Sequence, residues 1–411
     1  MSATILRRSP GRSDGLPVSP WVHVARAAAA LAAGMGVGRF VYTPILPLMH
    51  AQAGLSAGGG ANLATANYVG YLVGALVGIL RPSLIRSTKV LRGSLIVLTG
   101  TLAAMPLTHS TPGWIALRLA AGAASALIFV SAVSSLLSHL HDHPAHLPGW
   151  AFGGVGAGIA LSGLLVLALR SVADWQAAWW GSAGLAAVFT AVSWNLRVEP
   201  PHAEVTDAGT VISTPSARSH RRFTALFVGY TLEGVGYIVA GTFLVAAIDQ
   251  ASPGWIGSGA WVLVGLAAVP SSALWAWLGH RWSRPDLLFA ALVIQAAGIA
   301  LPALVGGVAA ALISAILFGA TFLGISTLAL ATGVHLRFPR SVALLTAGYS
   351  AGQIIGPLAV TPLLHHGYHQ ALILASAVVL VAALAAVVLR IGFPHHMTDE
   401  PAAGRHTSPA S

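Results

Sequence analysis

Three ionisable side chains, Arg39, Arg118 and Glu233, stand inside long apolar runs. In hydrocarbon an ionised group costs from about 2.5–3.5 kcal/mol upward, so such residues face a partner or a water-filled cavity. A guanidinium can clamp a carboxylate through two parallel hydrogen bonds. A carboxyl at that depth is pulled two ways, because low dielectric favours its neutral form and an adjacent guanidinium its charged form. One acid and two arginines in an apolar setting thus suggest reversible binding of an anion and of a proton. Glu233 lies about ten residues into its run, roughly 15 Å at 1.5 Å per residue, near the midplane of a bilayer. The plainer alternatives are snorkelling of the arginines to the interface and a static ion pair at Glu233.

Polar neighbours recur at helical spacing. Tyr42 shares a face with Arg39 at i+3, and Asn67 with Tyr71 and Tyr349 with Gln353 at i+4. Tyr237 follows Glu233 by one turn. Each is a candidate cavity contact and equally a candidate for hydrogen bonding between helices, which is worth only about 0.6 kcal/mol on average.

The elements that must carry these residues follow from composition. Of 411 residues, 56% are hydrophobic and 8% charged, with a mean hydropathy of +0.78. Ordinary soluble domains carry about 25% charged residues, so a soluble fold and a disordered chain are both excluded. Cysteine is absent, which removes disulfides, thiolate metal sites and a cysteine nucleophile. A spanning helix needs about 20 mostly apolar residues. Twelve windows qualify, at roughly 22–44, 61–81, 90–107, 113–137, 147–169, 174–196, 223–248, 255–278, 286–305, 308–331, 341–364 and 370–391. A strand barrel would instead show alternating segments of about ten residues. The expected fold is an all-α membrane protein of about twelve transmembrane helices.

The net charge of +10 would elsewhere suggest nucleic acid, but here the basic residues fall between apolar runs as a topology signal. Eighteen of the 21 flank the windows on one side, and Arg170 stands alone on the other. This places both termini in the cytoplasm. The longest internal connection, 197–222, is polar and divides the windows six and six. Gly36-Val-Gly38 and Gly234-Val-Gly236 repeat at an offset of 198 residues across that division. The expected organisation is a tail (1–20), a six-helix bundle (21–196), a linker (197–222), a second bundle (223–391) and a tail (392–411). Parallel repeats of this kind hold substrate between them near the midplane. Gly36, Gly38, Pro44 and Pro47 weaken the first helix, and Gly70 with Gly74 forms a small-xxx-small pair for close packing.

The whole chain resembles the major facilitator superfamily, and within it the YbfB/YjiJ-type transporters. The residues carrying the resemblance are Gly36-Val-Gly-Arg-Phe-Val-Tyr-Thr-Pro44 with Leu46-Pro-Leu-Met49, and Asn67-Tyr-Val-Gly-Tyr-Leu-Val-Gly-Ala75. Gly236-Tyr-Ile-Val239 with Thr242-Phe-Leu244, and Gly352-Gln-Ile-Ile-Gly-Pro357, extend it to the second half. Arg118-Leu-Ala-Ala-Gly122 is similar to the superfamily's Arg-x-x-x-Gly element. The Gly153 to Gly163 run lacks the usual Gly-Pro, and Gly78-Ile-Leu-Arg-Pro-Ser departs from the common gating loop. The resemblance implies that the first, fourth, seventh and tenth helices line a central cavity, which would gather Arg39, Arg118 and Glu233 around substrate.

No Gly-x-x-x-x-Gly-Lys-Ser/Thr motif occurs, so direct ATP drive is not expected. His139, His141, His143 and His146 crowd one connection beside Asp142, but Pro144 breaks any fixed spacing; the segment reads as a solvated loop without metal. The expectation is a secondary transporter of the inner membrane, not an enzyme. It would move a small, carboxylate-bearing or otherwise anionic molecule by alternating access with proton coupling. No cofactor is expected, and the partners are lipid, substrate and protons, with no nucleic acid and a monomeric state. The alternatives are a multidrug-type efflux carrier of the same fold and a non-transporting receptor or structural protein.

Overall fold

The computed structural model describes residues 19–139, 146–198, 217–251, 254–336, 338, 340–391 and 393. The N-terminal tail to residue 18, the histidines His141 and His143 with Asp142, Arg337, the linker from 199 to 216 and nearly all of the C-terminal tail lie outside them.

Among the described residues there is helix and no strand. Eleven helices are long and apolar enough to cross a membrane: Pro20–Ala53, Ala57–Leu80, Thr88–Leu107, Thr111–Leu136, Leu147–Leu169, Ser219–Ala251, Ile256–Leu278, Arg284–Leu304, Gly307–His335, Ser341–His365 and Tyr368–Arg390. One further helix, Trp175–Ser193, stands between the fifth and seventh spans. It is long enough to be the sixth, but its tryptophans and Gln176 dilute its apolar character. Several starts are fixed by side-chain caps. Ser56, Ser87, Asp174 and Ser283 accept the N–H groups of Gly59, Val90, Ala177 and Asp286, satisfying donors that the helix itself leaves free.

The first span is not one straight helix. It runs as α-helix over Pro20–Leu31, widens to a π-helical turn at Ala32–Val37, and resumes at Tyr42–Ala53. Its three glycines and Pro44 explain the break, since they weaken the ladder and remove one donor. The Thr43 N–H turns to the Phe40 carbonyl, so the Arg39 carbonyl loses the partner a regular helix would supply.

Spans one to six pack as one bundle and seven to twelve as another; the bundles meet where span five lies along span eight, span two along span eleven, and span one against span seven. Small residues permit the closest approaches. A side chain on Gly265 would lie 2.2 Å from the Ala160 amide nitrogen across the two halves. Within the first half, one on Gly122 would lie 2.0 Å from the Asn67 carbonyl oxygen. Gly122→Val therefore collides with backbone that cannot yield, and should destabilise the folded protein by about 3 kcal/mol or more. Gly93→Val, with nothing within 4 Å, is the matched control. Thermal melting in detergent should show a large loss for the first and little change for the second.

Candidate functional site

A cavity lies between the halves, with about 730 Å3 of empty space including its mouth. Span one contributes Arg39 and Phe40, span two Tyr71, span seven Tyr237, and span eleven Tyr349 and Gln353. Phe129, Phe152, Leu330 and Thr346 line its other end, in the turns nearest the basic connections. Polar ties join the halves at the middle and the opposite end. The Tyr68 hydroxyl meets Thr242 Oγ1 at 2.8 Å, Thr43 donates to the Gly241 carbonyl, and the Tyr368 hydroxyl meets His50 Nε2 at 2.9 Å. Arg170, alone on its side in the sequence, pairs with Asp249 at 3.5 Å. The cavity is thus closed at that end.

Arg39 is 3% exposed and lines the cavity. Its Nη2 donates to Gln353 Oε1 across the halves. Its guanidinium carbon lies 4.5 Å from the Tyr71 ring centre and 4.9 Å from that of Tyr68. Rings of this kind stabilise a cation without neutralising it. Among the described residues Nε has no hydrogen-bond partner and no acidic side chain pairs with the group, which leaves a free donor and an uncompensated charge.

The other two charges do not share this space. Arg118, 1% exposed, donates to the carbonyls of Gly38 and Arg39 at 3.2 and 3.3 Å and sits over Tyr42, 4.9 Å from its ring centre. It satisfies the oxygens that the break in the first helix leaves free, and Ser125 does the same for Gly34. Its place is that of a strut.

Glu233 is fully buried inside the second half, outside the central cavity. It borders a separate narrow crevice, about 250 Å3 of empty space counting the open solvent at its mouth, between spans seven, nine, ten and twelve, lined by Leu226, Gly229, Leu292, Ala386 and Leu389 among others. Leu226, Leu288 and Leu389 fall in the turns nearest the basic connections, so the crevice runs from the carboxyl toward that end. Gln295 and Tyr349 stand beside the carboxyl, yet among the described residues neither carboxylate oxygen completes a hydrogen bond, and both side-chain polar atoms of Gln295 are also buried without one. Among the described residues no ion pair holds Glu233. Tyr230 lines both spaces, and Tyr349, stacked on it with ring centres 4.3 Å apart, lines the cavity and stands beside the carboxyl.

Of the polar candidates, Tyr71, Tyr237, Tyr349 and Gln353 line the cavity. Tyr42 does not; its hydroxyl donates to the Gly60 carbonyl at 2.9 Å. Asn67 donates to the Arg118 carbonyl at 2.9 Å and ties span two to span four. Gln295, an amide amid the aliphatic residues of span nine, carries no charge that would single it out in the sequence. His139 stacks on His23 with ring centres 4.0 Å apart, and among the described residues no three histidine or acidic side chains gather as for a metal ion.

Two six-helix bundles meeting along spans two with eleven and five with eight, around a cavity shut at one end, define a major facilitator transporter fold. The solved structure of a mutant of the nucleoside transporter NupG has this fold, with a TM-score of 0.68 over 90% of this chain and 99% of that one, at 12% sequence identity. The chain belongs to the family described as "Uncharacterised MFS-type transporter YbfB", whose model matches residues 31–387. Among curated proteins none matches it in sequence.

Proposed function

We propose that the protein is a proton-coupled secondary transporter of a small anion, working by alternating access in the inner membrane. The observation that carries this reading is Arg39: a buried guanidinium with a free donor, the one charged side chain among the residues lining the cavity. A vestibule with one uncompensated positive charge favours an anion by Coulomb attraction strengthened in low dielectric. With the basic connections in the cytoplasm, the closed end faces outward and the cavity opens inward. Glu233 is the proton site, and its crevice leads from the same cytoplasmic end. Tyr349, which flanks both the carboxyl and the cargo space, supplies the contact through which the two occupancies communicate. The aromatic lining also suits a broad efflux carrier, or a neutral cargo such as the nucleosides that NupG's description names; the charge at Arg39 favours the anion.

The test exploits the absence of native cysteine. His50→Cys with Tyr368→Cys samples the outer mouth, and Phe152→Cys with Leu330→Cys the inner one. The outer pair should crosslink readily in resting protein, and its yield should fall as that of the inner pair rises when cargo and a pH gradient are supplied. Yields that never change in opposition would reduce the protein to a receptor. Uptake into proteoliposomes under an imposed pH gradient, screened with organic anions against neutral and cationic compounds, identifies the cargo's charge.

A further inference from the structure

Arg39 occupies one corner of the cavity; the walls are rings. On the side of the second half, Tyr230, Tyr349, Tyr237 and Phe322 run nearly parallel. Successive centres are 4.3, 5.6 and 5.8 Å apart, with planes inclined by 12°, 17° and 9°. The facing wall holds Tyr71, Phe129 and Phe152, tilted by 55° and 59° from one to the next. A set of parallel rings fits a flat guest that continues the same plane, because offset stacking aligns the positive edge of one ring with the negative face of the next. A puckered aliphatic guest gains the apolar burial without that electrostatic match.

The spacing between charge and wall is short. The Arg39 guanidinium lies 5.6 Å from the Phe40 ring centre, and Phe40 meets Phe322 edge-on at 6.0 Å. A small guest with its acid group close to its ring can therefore touch both. No acidic side chain lines the cavity, so a positive group on the guest would find no counter-charge. The Ser350 hydroxyl, buried and unbonded, offers one further hydrogen bond.

We infer that the cargo is a small monoanionic acid bearing a flat aromatic ring, its oxyanion on Arg39 and its ring against Tyr237 and Phe322. This rests on the anion-transporter reading above. The experiment compares three probes on purified full-length protein in nanodiscs, with affinity read from thermal stabilisation against concentration. Benzoate has charge and a flat ring, cyclohexanecarboxylate has charge and similar bulk without flatness, and benzamide has the ring without charge. Benzoate should bind about fivefold more tightly than cyclohexanecarboxylate, in line with the contribution of one aromatic pair, and benzamide should be weakest. The preference for benzoate should shrink toward unity in Tyr237→Leu and separately in Phe322→Leu, and persist in Tyr237→Phe.

Equal binding of the two acids would overturn the ring inference and leave the anion reading standing. Benzamide matching benzoate would overturn the anion reading itself. Absence of saturable binding by all three up to about 10 mM would also overturn the proposal. If the leucine variants melt as the parent does yet keep the full preference, the ring's placement against this wall is wrong.

Discussion

Arg39→Gln should lower cargo affinity at least about 30-fold while leaving the protein as heat-stable as the parent, or more so. The two effects share one cause. A guanidinium 3% exposed, held by one cross-half amide and a ring of π faces, has given up its hydration without gaining a counter-charge. In the empty protein that is a net cost, and glutamine removes it while still meeting the Gln353 amide. In the loaded protein the anion supplies the missing partner. Losing one member of a buried charge pair costs about 2–5 kcal/mol of binding, and about 1.4 kcal/mol is a factor of ten. Thermal melts with and without cargo read both quantities on one sample. An unchanged affinity would remove Arg39 from the site, and a sharp fall in stability would make it a structural strut like Arg118.

Glu233→Gln should abolish accumulation driven by a pH gradient and preserve exchange of labelled for unlabelled cargo across the same membrane. The amide keeps the shape of the protonated acid, but it cannot release a proton. A carrier locked in that state can still rock while loaded, so exchange persists and uphill transport stops. Gln295→Leu removes the polar neighbour without touching the acid, and should move the pH dependence of uptake while leaving exchange intact. Uphill transport surviving in Glu233→Gln would place the coupling elsewhere. Loss of exchange as well, with the melt unchanged, would make Glu233 part of the rocking mechanism in place of its proton site.

Much of this architecture was legible from residue order. Long apolar runs and flanking arginines define the spans because a helix must satisfy its own backbone in hydrocarbon. Even there Trp175–Ser193 falls short of the other spans, since aromatic and polar residues lower its hydropathy without preventing it from packing. The cavity was legible only in part. Arg39, Tyr71, Tyr237, Tyr349 and Gln353 do meet around it. Glu233 and Arg118 were expected beside them and are not, for a physical reason. In a soluble helix the polar face shows which way each side chain points. In a span whose lipid side and core side are both apolar, that contrast vanishes, and the rotation of a lone charge about the axis cannot be read. What decides Arg118 is the pair of carbonyls freed by the broken first helix, a demand made 79 and 80 residues earlier in the chain. What decides Glu233 is the packing of spans seven, nine, ten and twelve into a core of their own.

The partition formed by Tyr230 and Tyr349 has a further meaning for how such a molecule can diversify. Behind it, the carboxyl is framed by leucine and alanine side chains from spans nine and twelve that never face the cargo; in front, the chamber walls can be repainted residue by residue. On the proposed roles of Arg39 and Glu233, selection could retune what the carrier recognises without disturbing how it is powered, so that one unaltered engine would serve different diets.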